Sequence, residues 1–145
     1  MTDEQKAERA AWMGLLARSQ PSELARLMPA LPPHDTIRAP EIGTTMIRGR
    51  AGATGAAFNL GEMTVTRCAV RLASGVEGHG YVQGRDKDHA RNAALIDALM
   101  QGPEAVALRA AVLAPLQASA TARARARAGE AAATKVEFFT MVRGE

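Results

Sequence analysis

The sequence predicts an α+β fold, and three observations carry that prediction. Apolar residues recur at helical spacing near the N-terminus. From Thr36 to Gln83 they follow strand-like spacing, broken by glycine and proline. One amphipathic helix then follows, with alanine-rich helical sequence beyond it. Helices, strands and helices in blocks suit an α+β domain better than repeated βαβ units. The 145 residues are expected to form one domain, 1–145, with a single core.

Glu4 to Ala17 reads as a helix with Ala11, Trp12, Leu15 and Leu16 on one stripe. Ser19 is the expected N-cap of a second short helix, about Pro21 to Met28, which turns Leu24, Leu27 and Met28 inward. Pro32 and Pro33 end this helical hairpin, because proline cannot continue the ladder. Thr36–Arg38 and Thr44–Arg48 are expected short strands around Pro40 and Gly43, and 50–55 is a glycine-marked turn. Phe58 to Leu72 reads as a long strand kinked at Gly61. Its apolar parity switches from Met63 and Val65 to Cys68, Val70 and Leu72. Ser74-Gly75 turns the chain into a strand at Gly80–Gln83, closing an antiparallel hairpin.

Asp86 is the expected N-cap of the central helix, whose Ala93, Ile96 and Met100 face the core, widened by Leu95 and Leu99. Gly102-Pro103 breaks the chain, and Glu104–Ala114 and Leu116–Ala131 read as helix with Pro115 as a kink. Arg123, Arg125 and Arg127 alternate with alanine, yet alanine's propensity favours helix there. Lys135 to Arg143 is expected to be a final strand, with Val136, Phe138 and Val142 on one face and Phe139 and Met141 on the other.

Composition bounds the function. The balance of 47% apolar and 23% charged residues is that of a globular protein. No uninterrupted apolar run reaches the roughly 20 residues of a bilayer span, and the polar first residues lack the pattern of a signal peptide. A cytoplasmic location without membrane attachment is therefore expected. The single Cys68 excludes an internal disulfide. The net charge of +3 comes almost wholly from arginine, which suits phosphate and carboxylate recognition; a GC-rich genome is the simpler account of an Arg- and Ala-rich chain.

Arg85, Lys87 and Arg91 crowd the start of the central helix, where unpaired N–H groups already favour an anion. Two readings stand: a phosphate-like ligand or acidic partner, or neutralisation by Asp86 and Asp88. Phe139 and Met141, flanked by Arg143, likewise fit a subunit interface or a covering helix of the same chain. His34, His79, His89 and Cys68 lack the spacing of a metal site, and no nucleophile–base set stands out, so neither metal ligands nor catalytic residues are assigned. Few aromatics accompany the arginines, so no nucleic-acid role is expected.

Several strings are more specific. They are Trp12-Met13 with Ser19-Gln20-Pro21, Thr66-Arg67 with Ala69 to Leu72, and Val82-Gln83-Gly84-Arg85-Asp86-Lys87. Ala94 to Gln101, Ala114-Pro115-Leu116 and Phe138 to Gly144 complete the set. Together they resemble the G subunits of the bacterial carbon–phosphorus lyase system, the PhnG family, over nearly the whole chain. The resemblance implies an accessory subunit of the core complex, joined to the H, I and J subunits. With the I and H subunits and an ATPase-like L component, it would help couple a phosphonate to the ribose of ATP. Adenine leaves and a ribose 1-phosphonate 5-triphosphate forms. ATP is then a substrate of the complex, and this chain binds no cofactor and is not catalytic alone. A competing reading is an autonomous Arg-rich module for RNA or phosphorylated metabolites.

Overall fold

The computed structural model describes the backbone of residues 1–50 and 55–143, and the side chains of these apart from residue 59 and residues 135–143. Helix α1 (Asp3–Arg18) opens on a reciprocal cap: Thr2 Oγ1 accepts from the Gln5 N–H at 3.2 Å, and Gln5 Oε1 accepts from the Thr2 N–H at 2.9 Å. Ser19 closes α1 rather than opening the next helix, its hydroxyl donating to the Leu16 carbonyl at 2.8 Å. The N-cap of α2 (Pro21–Leu27) is Gln20, which makes no side-chain cap bond, and Pro21 occupies the first turn as expected.

Strands β1 (His34–Arg50), β2 (Ala57–Leu72) and β3 (Glu77–Gln83) form an antiparallel sheet in the order β1-β2-β3. The two short strands expected near Thr36 and Thr44 are one edge strand. Register shifts at Thr36/Arg38 and Arg38/Glu41 absorb Pro40, whose missing N–H an edge strand tolerates. β3 pairs with β2 from Val65↔Gln83 to Arg71↔Glu77. Beyond Val65 the β1–β2 hairpin therefore continues as a two-stranded arm, paired from Gly43↔Val65 to Arg50↔Ala57.

α3 (Lys87–Met100) covers one face of the sheet, and glycine lets it come close. A Cβ at Gly80 would lie 2.1 Å from the Ala90 carbonyl oxygen, and one at Gly78 the same distance from that of Ala94. Ala90, Ala94 and Ala98, one turn apart on α3, supply the matching small surface. The core gathers around this contact: Cys68, Val70 and Val82 from the sheet, Leu95, Ile96 and Leu99 from α3, and Trp12, Leu16 and Leu24 from α1 and α2. Val65, of opposite parity in β2, is buried as well, but so are Thr66 on the α3 side and Ala69 beside Cys68, and Met63 is only half-buried, so the expected clean switch of buried face is not seen.

Beyond α3, the short α4 (Ala105–Leu108) passes through a π-helical turn, Arg109–Leu113, into α5 (Ala114–Arg143). In that turn the Ala114 N–H reaches the Arg109 carbonyl. The wider turn immediately precedes Pro115, whose ring would clash with a carbonyl of a regular α-helix. By length and hydropathy alone, Ala105–Thr134 matches a bilayer span, with a mean of 1.3 over its most apolar window. Much of that value comes from alanine, and Leu108, Val112, Leu113 and Leu116 from the same stretch are buried in the core.

The expected final strand is not formed; residues 135–143 continue α5 as helix. Once a helix is nucleated, each further residue adds a hydrogen bond, and no proline follows Pro115 to interrupt it. A nine-residue alternation does not overcome that here, and it pairs with neither of the sheet's edges, β1 or β3. The face assignment of Phe139 and Met141 lapses with the strand, and the side chains of Phe139, Met141 and Arg143 lie outside the described residues.

The glycine contact gives a direct test. Gly80→Ala forces the added methyl into the α3 backbone and is expected to cost about 3 kcal/mol, measured by urea unfolding. A loss indistinguishable from zero would show that α3 can retreat without penalty.

Candidate functional site

The turn before α3 is built tightly into the sheet. Gly84 adopts φ +97°, its N–H donates to the Thr64 carbonyl at 2.9 Å, and its own carbonyl accepts the Thr66 hydroxyl at 2.7 Å. A positive φ here favours glycine. Asp86 then caps α3, Oδ1 accepting from the His89 N–H at 2.9 Å. The helix start expected to attract an external anion therefore has a carboxylate of its own.

The three cations predicted at this start separate into two kinds. Arg91 donates to Asp88 Oδ1 at 2.9 Å and is half-buried. Arg85 and Lys87 are exposed and take part in no ion pair among the described residues. Neutralisation thus describes Arg91, while Arg85 and Lys87 remain available to a partner or ligand.

Two polar constellations went unread in the sequence. On α3, the fully buried Asp97 carboxylate accepts from Arg9 Nε at 3.1 Å and Nη2 at 2.8 Å. It also accepts from Trp12 Nε1 at 2.8 Å and the His79 backbone N–H at 2.9 Å. Hydrogen bonding to Asp97 raises the Arg9 pKa further, so the guanidinium stays charged. Arg9 and Trp12 lie one turn apart on α1, which brings both donors to one carboxylate. The only advance signal was a single acid among Leu95, Ile96, Ala98, Leu99 and Met100.

At the opposite end of α3, His89 is buried, with Nε2 2.9 Å from the Leu16 carbonyl and 3.1 Å from Ser19 Oγ. Donation to the carbonyl assigns the proton to Nε2. Nδ1 is buried with no hydrogen-bond partner. Burial lowers the His89 pKa from 6.5, opposed by the Leu16 carbonyl and Asp86. Cys68 is also buried, and desolvation raises its pKa against a smaller effect of Arg91, so the sulfur is held as thiol rather than nucleophilic thiolate.

The sheet face away from α3 is open. It carries a cleft of about 420 Å3 lined by Ile37, Arg38, Arg67, Ala69, His79 and Tyr81, among others. Glu41 lies between the two guanidinium groups, 3.7 Å from Arg38 and 3.8 Å from Arg67. In the Arg-rich helix, Arg123 meets Glu23 of α2 at 3.9 Å, and Ser119 donates to the same carboxylate at 2.6 Å. Arg123 therefore helps to dock α5. No set of three or more His, Cys, Asp or Glu side chains among the described residues could hold a metal.

Residues 7–144 match the family described as phosphonate metabolism protein PhnG. The chain belongs to the PhnG family. It is 46% identical over 142 residues to a Rhizobium meliloti protein named alpha-D-ribose 1-methylphosphonate 5-triphosphate synthase subunit PhnG, an alignment covering 96% of this chain and 91% of the relative. As a PhnG-family member the chain is a phosphonate-metabolism protein with an accessory subunit role, and the reading as an autonomous RNA- or metabolite-binding module has no support.

Two outcomes follow for the buried groups. Asp97→Ala strands Arg9, the Trp12 indole N–H and the His79 N–H together, and is expected to cost about 3–5 kcal/mol in urea unfolding; a small loss would show that these donors recover partners elsewhere. For His89 the unfolded imidazole titrates near 6.5 and the folded one lower. Below 6.5 the unfolded chain binds more protons, so stability present above that pH is lost as pH falls toward the folded value. The urea midpoint should therefore drop between about pH 7.5 and about pH 5.5, and the drop should shrink in His89→Gln. Parallel pH profiles for the two proteins would remove His89 as the cause.

Proposed function

We propose that this chain is a non-catalytic subunit of a cytoplasmic synthase that couples a phosphonate to the ribose of ATP, expelling adenine and leaving the ribose 1-phosphonate 5-triphosphate. Its partners in this reading are the H, I and J subunits of the carbon–phosphorus lyase core complex, with the ATPase-like L component needed for the first reaction. The observation that carries the proposal is the 46% identity, across 96% of the chain, to a protein named as a subunit of that synthase.

The local chemistry supports a supporting role. Asp97 already accepts from four donors, His89 binds a backbone carbonyl inside the core, and Cys68 is held as a thiol. Each of these groups serves packing between elements. Arg85 and Lys87 are different: exposed and rigidly carried by the Gly84 turn, they are suited to a triphosphate or to carboxylates of a neighbouring subunit. Contact through Phe139, Met141 and Arg143 belongs to the same proposal, and Phe139→Asp should weaken co-purification with the I subunit.

Reconstitution decides the role. With the I, H and L components, ATP and methylphosphonate, adenine release is expected to require this chain, and the chain alone should give none. Arg85→Ala/Lys87→Ala should preserve assembly while lowering the rate of adenine release. Full release without the chain would end the subunit reading; unchanged kinetics in the double variant would remove those two side chains from the substrate path.

A further inference from the structure

The two-stranded arm beyond Val65 differs from the rest of the sheet in what it exposes. Ile42 at its root is 37% exposed, and Met46, Ile47, Phe58 and Leu60 farther along are 47%, 39%, 46% and 62% exposed. The register distributes them on both faces. Ile42 opposes Thr66 and Met46 opposes Glu62, a parity shared with Thr66 and Val82 on the α3 side; Ile47 opposes Gly61 on the other side. A two-stranded ribbon without a covering layer is marginally stable in water, and apolar side chains on both of its faces make it more so.

Charge singles out what would cover it. Arg48 and Arg50 are exposed on the arm, and Arg85 and Lys87 stand at its root, where the Gly84 turn is bonded to Thr64 and Thr66. None of the four is in an ion pair among the described residues, and Glu62 is the arm's own exposed acid. Apolar residues on both faces suit a groove with two walls, whereas a flat bilayer would cover one face only. Pairing with a second copy along β1 would be limited by Pro40 and by three register shifts, the last at Ile47/Arg48 within the arm, and would bring like charges together.

We propose that this arm is an insertion element, received by an apolar groove with a carboxylate-bearing rim on a partner subunit of the synthase. Ile42, Met46, Ile47, Phe58 and Leu60 fill the groove, and Arg48, Arg50, Arg85 and Lys87 meet its rim. This rests on the subunit reading above and adds the surface through which the subunit is held. Buried apolar anchors then supply most of the affinity, while the rim charges set orientation and association rate.

The test is co-purification of the tagged full chain with co-expressed H, I and J subunits. Phe58→Asp/Leu60→Asp is expected to reduce partner recovery about tenfold or more, with an unchanged melting temperature. Val106→Asp, at an 84% exposed site outside the arm, should recover partners like the wild type. Should the aspartate pair lower the melting temperature, Phe58→Ser/Leu60→Ser is measured in its place with the same expectation. Arg48→Glu/Arg50→Glu should lower recovery and weaken its dependence on salt. Wild-type recovery by the arm variants would overturn the arm proposal and leave the subunit reading intact. Failure of the wild type to recover any subunit would overturn both. A wild-type dimer by light scattering that becomes monomeric in the arm variant would assign the surface to a second copy. Wild-type cosedimentation with phosphatidylserine–phosphatidylcholine vesicles, lost in that variant, would assign it to membrane; either result overturns the proposal.

Discussion

The Asp97 carboxylate is the constraint on which the packing of this molecule depends. An ionised carboxylate removed from water is strongly destabilising unless its lone pairs are occupied and its charge is matched. Here a bidentate guanidinium, an indole N–H and a backbone amide meet it. Those donors come from α1 and β3, while the acid belongs to α3, so three elements are fixed by one side chain. Of the two charged members Arg9 is the more exposed, with 24% of its side chain accessible, and can keep part of its hydration while still neutralising the acid. The His79 N–H has a further significance. It belongs to β3, an edge strand, whose unpaired groups would otherwise invite another strand. Asp97 satisfies one of them from within the fold.

That reach requires the helix to lie unusually low on the sheet. The glycines at 78 and 80 and the alanines at 90, 94 and 98 remove the side chains that would hold α3 away. Small residues therefore contribute by absence of volume, and the carboxylate uses the proximity they create. The other end of α3 is fixed by a neutral group, with His89 bonded to the Leu16 carbonyl at the end of α1. Arg9 meets Asp97 while Leu16 meets His89, so α1 runs antiparallel to α3 and is clamped at two points. One clamp is an ion pair. The other depends on a neutral imidazole and carries the pH dependence.

The sequence disclosed elements better than it disclosed partnerships. Periodicity and caps were enough for α1, α2 and α3, and Asp86 caps α3 as its position predicts. Ser19 reads in the sequence as the cap of α2, because a hydroxyl two residues before a proline suits an N-cap; its bond to Leu16 places it at the end of α1 instead. Pro40 suggested a gap between strands, but an edge strand with bulges can run through it. The end of the chain misled most. Alternation at Phe138–Val142 suits a strand only where the chain is brought to a sheet edge, and that is a tertiary fact; the alanine-rich helix before it continues instead. Asp97 had one visible sign, an acid on an apolar helix, but its side-chain donors Arg9 and Trp12 lie more than 80 residues away. At the α3 start the basic cluster was visible, whereas its division into a paired Arg91 and exposed Arg85 and Lys87 was not.

A boundary in the sheet connects these features. β3 ends opposite Val65, and the chain turns at Gly84 into α3 at that same point. On one side of the boundary, α3 covers the hairpin and the acids and bases are spent on one another. On the other side the hairpin continues without a third strand, and both its apolar and its basic side chains face outward. Arg85 and Lys87 stand on the dividing line, just after Gly84, whose N–H and carbonyl are both bonded to β2. Their exposure and the exposure of the arm are thus consequences of one event, the termination of β3. A sequence that wished only to be a stable monomer would extend β3 by a few residues, or shorten the hairpin to match it. The longer hairpin adds apolar surface that the domain itself does not cover, and that surplus is most economically understood as one half of a contact.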